Sequence, residues 1–269
     1  MTTADNALLS ELKDGVLTLT FNRPEARNAL TPDMLTKMRD ELARAELDPD
    51  VGCIMLTGAG DAFCAGGDVK AMAAAHAAGK APDHNLRMDQ QRQSHRATSL
   101  RLYEMSKPTI AAIPGPAAGA GFSLALACDM RIAADTAVMT SAFVKVGLTG
   151  DYGGTYLLTQ LVGTGKAREL YLLGDRIDMA EAQRLGIVNW VVPAAELRTR
   201  AFEIAKRLAN GPRIAHRLLK DNLNRALKQG FAECLDMESQ NLALARQTED
   251  HKEAARAFAE KRAPKFVGR

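Results

Sequence analysis

The chain has 269 residues, a formal net charge of +3, 46% hydrophobic and 25% charged residues. This fits a globular protein with a real core, with room for one large domain or for one domain plus a helical appendage. So small a charge makes no case for nucleic acid and does not oppose an anionic small ligand, and Cys53, Cys64, Cys128 and Cys234 lack the spacing of a metal site or disulfide framework.

Leu8–Lys13 and Val16–Phe21 read as two strands joined at Asp14-Gly15, a hairpin-type dipeptide. Thr31-Pro32 starts a helix, with Thr31 as N-cap and Leu35, Met38, Leu42 and Ala45 as its apolar stripe. Val51–Thr57 reads as a buried strand that runs into the Gly-rich turn Phe63–Asp68, where Asp68 can cap a helix beginning at Val69. Residues 71–100 are alanine-rich and then polar; a helix from about 85 to 105 is expected, with Gly79–Asp83 as a mobile loop. The histidines here, His76, His84 and His95, read as solvated.

Thr109–Ile113 is another buried strand, followed by a helix from near Gly119 to Cys128. Short strands at Arg131–Ala133 and Val138–Thr140 precede helices at Gly153–Leu161 and Thr164–Leu173. Asp178 has capping-box spacing to Glu181 ahead of a short helix closed by Gly186, and Val188–Val192 is the last strand. Beyond Pro193 the pattern is helical, roughly 194–209, 212–228 and 231–262. The division is therefore a strand-and-helix core, 1–193, and a helical region, 194–269. No window approaches about eighteen consecutive apolar residues, and the first residues lack a basic region followed by an apolar one. The expectation is a cytoplasmic protein without membrane span or secretion signal, its cysteines small buried residues in a reducing compartment.

Two turns could carry chemistry. The glycines of Phe63–Asp68 let backbone approach a ligand closely with N–H groups outward, and Gly119-Ala120-Gly121 opens a helix whose first N–H groups and dipole favour negative charge. Each alone is as readily structural; together, one N–H from each would make an oxyanion hole. Asp151, in Gly-Asp-Tyr-Gly-Gly, is a candidate acid/base, or else a turn former or helix cap.

With the segments LTLTFNRPEARNAL, DAFCAGGDVKAM, KPTIAAIPGPAAGAGFSLALACDMRIA, VGLTGDYGGTYLLTQLVG, ARELYLLGDRIDMAEAQRLGIVNWVV and HKEAARAFAEKRAPKF in this order, the chain resembles the crotonase, or enoyl-CoA hydratase/isomerase, superfamily. The resemblance implies an α/β spiral of ββα units with a C-terminal helical module, a homotrimer or dimer of trimers, and an acyl-CoA thioester as substrate, with coenzyme A arriving as part of it and no further cofactor, metal, membrane or nucleic-acid partner. By position it implies the N–H groups of Gly67 and Ala120 as oxyanion donors. It implies Arg23, Arg27, Lys70 and Lys261 as candidates for the CoA phosphates, and Phe258 beside pantetheine or adenine, from a neighbouring subunit in one reading.

The departures narrow the activity. Family hydratases use two glutamates; the matching positions here are Ser123 and Phe143, neither of which takes a proton at neutral pH. Asp151 stands eight residues after Phe143, where the double-bond isomerases and the ring-modifying isomerases of phenylacetyl-CoA type resemble this chain in placing an aspartate. Related dehalogenases use an aspartate there as nucleophile, but with a tryptophan in place of Phe143. An isomerase using Asp151 as base, in an apolar wall with Phe143 and Leu148, is the leading expectation. Ser123 and Tyr152 are polar neighbours for substrate or water. A hydratase with an atypical site and a CoA-ester-binding protein without turnover are the alternatives.

Overall fold

The computed structural model describes residues 7–78 and 83–269. Strands β1 (Leu8–Lys13) and β2 (Val16–Phe21) pair antiparallel through Asp14 and Gly15, both at positive φ. Helix α1 (Pro32–Leu47) begins as expected: the Thr31 side chain accepts the Met34 N–H at 3.2 Å, and Met34, Met38, Leu42 and Ala45 are buried. Then come β3 (Cys53–Gly58) and α2 (Val69–Ala77), where Asp68 accepts the Ala71 N–H. Helices α3 (His84–His95) and α4 (Arg101–Glu104) are joined by a π turn over Arg96–Leu100. The predicted loop at Gly79–Asp83 lies, for residues 79–82, outside the described residues.

The middle of the chain holds β4 (Thr109–Ile113), β5 (Ala117–Ala118), α5 (Ala120–Ala127), β6 (Met130–Ala134) and β7 (Val138–Thr140). Helix α6 (Gly154–Leu173) is kinked at Gly163, whose φ of 75° and ψ of 165° are not helical, so two helical stretches meet where the sequence places a break. After β8 (Ile177–Asp178), α7 (Met179–Arg184) is capped by Asp178. The last strand, β9 (Trp190–Val192), is shorter than predicted, because Asn189 instead accepts the Arg131 N–H through its side chain.

The main sheet has the order β1-β2-β3-β4-β6-β9, parallel from β2 onward, and β5-β7-β8 form a small second sheet. Every residue of β3 and β4 is buried, as a parallel strand covered on both faces requires. One cover is α8 (Leu197–Ala209): Leu197, Ala201, Ala205 and Ala209 recur every fourth residue, all buried, and the helix packs on β2, β3, β4 and β6. A helix beyond Pro193 thus packs on the main sheet.

Three further helices follow: α9 (Arg213–Ala226), α10 (Phe231–Arg246) and α11 (Glu249–Ala259). The helical pattern over 231–262 runs through α10 and α11 without a break. Thr248 separates them, its side chain accepting the His251 N–H as an N-cap ahead of Glu249 and Asp250. The buried Lys220 ammonium ties α9 to the core, donating to Leu102 O, Lys107 O and the Asp129 carboxylate.

Helix α5 touches the preceding turn so closely that a methyl group on Gly121 would overlap the Cys64 carbonyl and lie 2.6 Å from Cys64 Cβ. Gly121→Ala should therefore lower stability by about 1–3 kcal/mol, the usual cost of overpacking, read as a lower urea midpoint at unchanged slope.

Candidate active site

The two Gly-rich turns are joined by backbone hydrogen bonds. Phe63 and Cys64 N–H groups donate to Pro116 O at 3.1 and 3.2 Å, and Ala118 N–H donates back to Cys64 O at 2.9 Å. A third segment closes the junction, with Leu30 N–H donating to Gly66 O at 2.8 Å. Gly66 sits at φ 90°, and a side chain there would meet Ala118 O at 2.8 Å and the Ala120 nitrogen at 3.1 Å. Glycine thus leaves open the approach to the Ala120 amide. Gly119, at φ 54° and ψ −123°, caps α5, whose residues are all buried, so the positive end of that helix lies inside the protein.

Gly67 and Ala120 line one cleft of about 750 Å³, and Asp151 and Tyr152 line it with them. The turn carrying Asp151 is held in an uncommon conformation. Gly150 and Gly153 have φ of 130° and 75°, and between them Tyr152, a bulky residue, has φ 48°, a conformation that costs on the order of 1–3 kcal/mol. Packing compensates: Tyr152 is buried, the Ser99 hydroxyl donates to Tyr152 O at 2.6 Å, and the His95 ring lies 4.1 Å from the Tyr152 ring.

Asp151 does not cap the helix that follows. The N-cap of α6 is Gly153, without a side-chain hydrogen bond. The Asp151 Oδ1 atom is buried with no hydrogen-bond partner among the described residues. Burial pushes its pKa up to about 7, because a carboxylate removed from water resists ionisation. The turn-former reading therefore leaves the side chain unexplained.

The other expected residues divide. Tyr152 lines the cleft. Phe143 is buried behind Gly119, stacked on Tyr171 with ring centroids 6.3 Å apart, and does not line the cleft. Ser123 is fully buried; its hydroxyl donates to Gly119 O at 3.3 Å and packs against Gly154. Both pack beside the Gly119 turn at the floor of the site. Leu148 is 51% exposed.

Arg23 pairs with Asp68 at 3.3 Å and donates to Ala29 O at 2.8 Å, so its guanidinium braces the Gly67 turn. Arg27 is exposed and in the left-handed region, while its carbonyl accepts the Ala65 N–H. The Lys70, His76 and His84 side chains lie outside the described residues. Phe258, 88% exposed, and Lys261 stand at the C-terminal end of α11 and do not line this chain's cleft.

One wall comes from a stretch that the sequence reads as polar and solvated. His95 is half-buried in the cleft, its pKa lowered by burial. Arg39 and Thr36 of α1, and Arg87, Gln90, Gln91 and Ser94 of α3, line the cleft as well. A polar helical stripe carries no apolar period, so in sequence it looks like a solvated face.

The enoyl-CoA hydratase/isomerase family model matches residues 11–269. The chain is 37% identical over 262 residues to 1,2-epoxyphenylacetyl-CoA isomerase of Escherichia coli (strain K12), covering 97% of this chain and 98% of that protein. It is 35% identical over 266 residues to crotonyl-CoA hydratase of Syntrophomonas wolfei, covering 97% and 98%. The fold superposes on a crystal structure of enoyl-CoA hydratase from Bacillus anthracis with a TM-score of 0.90 at 32% identity, covering 98% and 100% of the two chains. The architecture is thus the crotonase-like spiral of ββα units with a C-terminal helical region. The chain belongs to the enoyl-CoA hydratase/isomerase family.

The raised pKa of Asp151 has a thermodynamic consequence. In the folded chain the group holds its proton up to about 7, against 3.8 ordinarily. Its protonated form therefore supports folding below the ordinary value, and that support is lost as pH rises through the window to about 7. Asp151→Asn should unfold at a higher temperature than the parent at about pH 8, with a smaller gap near pH 5, by differential scanning fluorimetry.

Proposed function

We propose that the protein is an acyl-CoA isomerase that shifts a double bond, or rearranges a ring-derived acyl-CoA, through a thioester enolate. One observation carries this reading: Asp151, with its Oδ1 buried and without a hydrogen-bond partner among the described residues, shares a cleft with the backbone of Gly67 and Ala120. In this reading the thioester oxygen accepts hydrogen bonds from those two N–H groups. Negative charge gathers on that oxygen as the adjacent carbon loses its proton, and one such donor typically contributes about 2.7–4 kcal/mol. The ionised Asp151 takes the proton and returns it further along the conjugated system. No electrons are gained or lost, so coenzyme A is needed only as part of the substrate. A pKa near 7 suits a group that must both accept and return a proton at neutral pH.

Carrying Arg23, Arg27 and Lys70 over to the CoA phosphates belongs to the same proposal. Phe258 and Lys261, away from this chain's cleft, would serve the site of a neighbouring subunit. A homotrimer or dimer of trimers is supported by exposed apolar residues at helical spacing: Leu219, Leu223 and Leu227 along and just beyond α9, and Phe231 and Leu235 on α10. Left in water, they forgo about 25 cal/mol for each Å² that contact would bury. Light scattering coupled to size exclusion should give the mass of three or six chains; a monomer at micromolar concentration would sink the assembly reading. We place the protein in the cytoplasm.

Hydration is the second reading, favoured by His95, a second titratable group in the cleft, and by relatives named hydratases. Binding without turnover is the third. Supplying 3-enoyl-CoA and 2-enoyl-CoA separately, and following conjugated-thioester absorbance and hydroxyacyl product, distinguishes the three.

Asp151→Asn should lower isomerisation kcat/KM by about 10²–10⁴-fold, with the Kd for a saturated acyl-CoA little changed. The parent's kcat/KM should rise with pH and level off above about 7, because the base acts only when ionised. Full activity in the variant would overturn the assignment of Asp151.

A further inference from the structure

We propose that the acyl group this cleft accepts ends in a carboxylate, bound by Arg87 of α3 and Arg39 of α1. The inference rests on the reading of the cleft as an acyl-CoA site and goes beyond it to the substrate's distal end.

The wall of α3 begins at the turn of the proposed base. His95, next to Ser94 on α3, holds its ring 4.1 Å from the Tyr152 ring, and Tyr152 follows Asp151 in the chain. From Ser94, the cleft-lining residues Gln91, Gln90 and Arg87 recede toward the helix N-terminus at intervals that keep them on one face. At 1.5 Å per residue, Arg87 stands about 10 Å along the helix from Ser94. Thr36 and Arg39, three residues apart on α1, line the same cleft. The proposed reaction occurs at acyl carbons beside Asp151, so a groove that leaves Asp151 along α3 follows the acyl chain. Arg23 stands elsewhere, bracing the Gly67 turn through Asp68 and Ala29.

The cleft joins two kinds of surface: Leu30, Pro32, Leu35 and Ala97 suit acyl methylenes, while Gln90, Gln91, Gln93, Arg39 and Arg87 are polar. A methyl end laid against these amides and guanidinium groups would desolvate them and offer no hydrogen bond in return. The acidic residues lining the cleft are Asp68 and Asp151, both at its catalytic end. Arg39 engages Asp40 through Nε at 2.8 Å, but that pair is exposed and of small energetic value, and a guanidinium has further N–H donors to present. A carboxylate is the group that such a fork binds best, and the neighbouring amides can donate to it.

The test compares two 3-enoyl-CoA esters of equal chain length, one ending in methyl and one in carboxylate. The carboxylate ester should have the higher kcat/KM by about tenfold or more, as one charge-assisted hydrogen bond allows. Arg87→Met and Arg39→Met should each cut the carboxylate-to-methyl ratio of kcat/KM by about tenfold. Preference for the methyl ester, or variants that leave the ratio unmoved, would overturn the proposal; equal losses on both esters would assign the arginines to the CoA portion instead. Calorimetric binding of the corresponding saturated esters reads the same preference without turnover. If neither enoyl ester reacts but the carboxylate-ended saturated ester binds about tenfold tighter, the isomerase reading fails while this one stands.

Discussion

The site depends on one backbone junction, in which the turn ending at Gly67 is pinned to the strand and turn leading into α5. The pin is a set of main-chain hydrogen bonds between Phe63, Cys64, Pro116 and Ala118, with Leu30 bonded to Gly66 from a third segment. Such bonds fix the relative position of two turns far more tightly than side-chain contacts could, because no rotamer intervenes. Where α5 meets the turn, a side chain at Gly121 would strike Cys64; at Gly66, one would crowd the Ala120 amide. Small residues here keep two amides at the surface of one cleft, next to the buried positive end of α5.

Across that cleft the protein holds a strained turn rather than a relaxed one. Tyr152 would leave the left-handed region if it were exposed and unbonded; burial, the Ser99 hydroxyl and the His95 ring keep it there. The result is an Asp151 carboxylate with one oxygen out of water and without a hydrogen-bond partner among the described residues. An ordinary turn aspartate would bond the next helix, and Gly153 at the α6 N-cap leaves that role unfilled. Strain and desolvation at one position, with compensation in the surrounding packing, are what a proton-transfer group near pH 7 requires.

The residues opposite the reaction centre have a different logic. Ser123 packs against Gly154, and Phe143 lies behind Gly119. The polar surface of the cleft comes from α3, which reaches Tyr152 through His95, and from Thr36 and Arg39 of α1. The catalytic end and the far end of the cleft thus belong to different parts of the chain.

Much of the fold was legible in the sequence. The hairpin at Asp14-Gly15, the Thr31 and Asp178 caps, the buried runs of β3 and β4 and the break in α6 all follow from local rules of turn, cap and period. The order of motifs pointed to the family, and Gly67, Ala120 and Asp151 could be named before any of them had a place in space. The separation of α10 from α11 was missed because helical patterning runs through a cap that only Thr248 signals. What tertiary structure alone decided was orientation: Asp151 in the cleft and not on the helix end, Ser123 beneath the floor, His95 in the cleft beside Tyr152, and the arginines of α1 and α3 facing one groove. Local patterns record which residues share a face of one element. Which faces meet, and what they exclude from water, is set by contacts between segments distant in the chain.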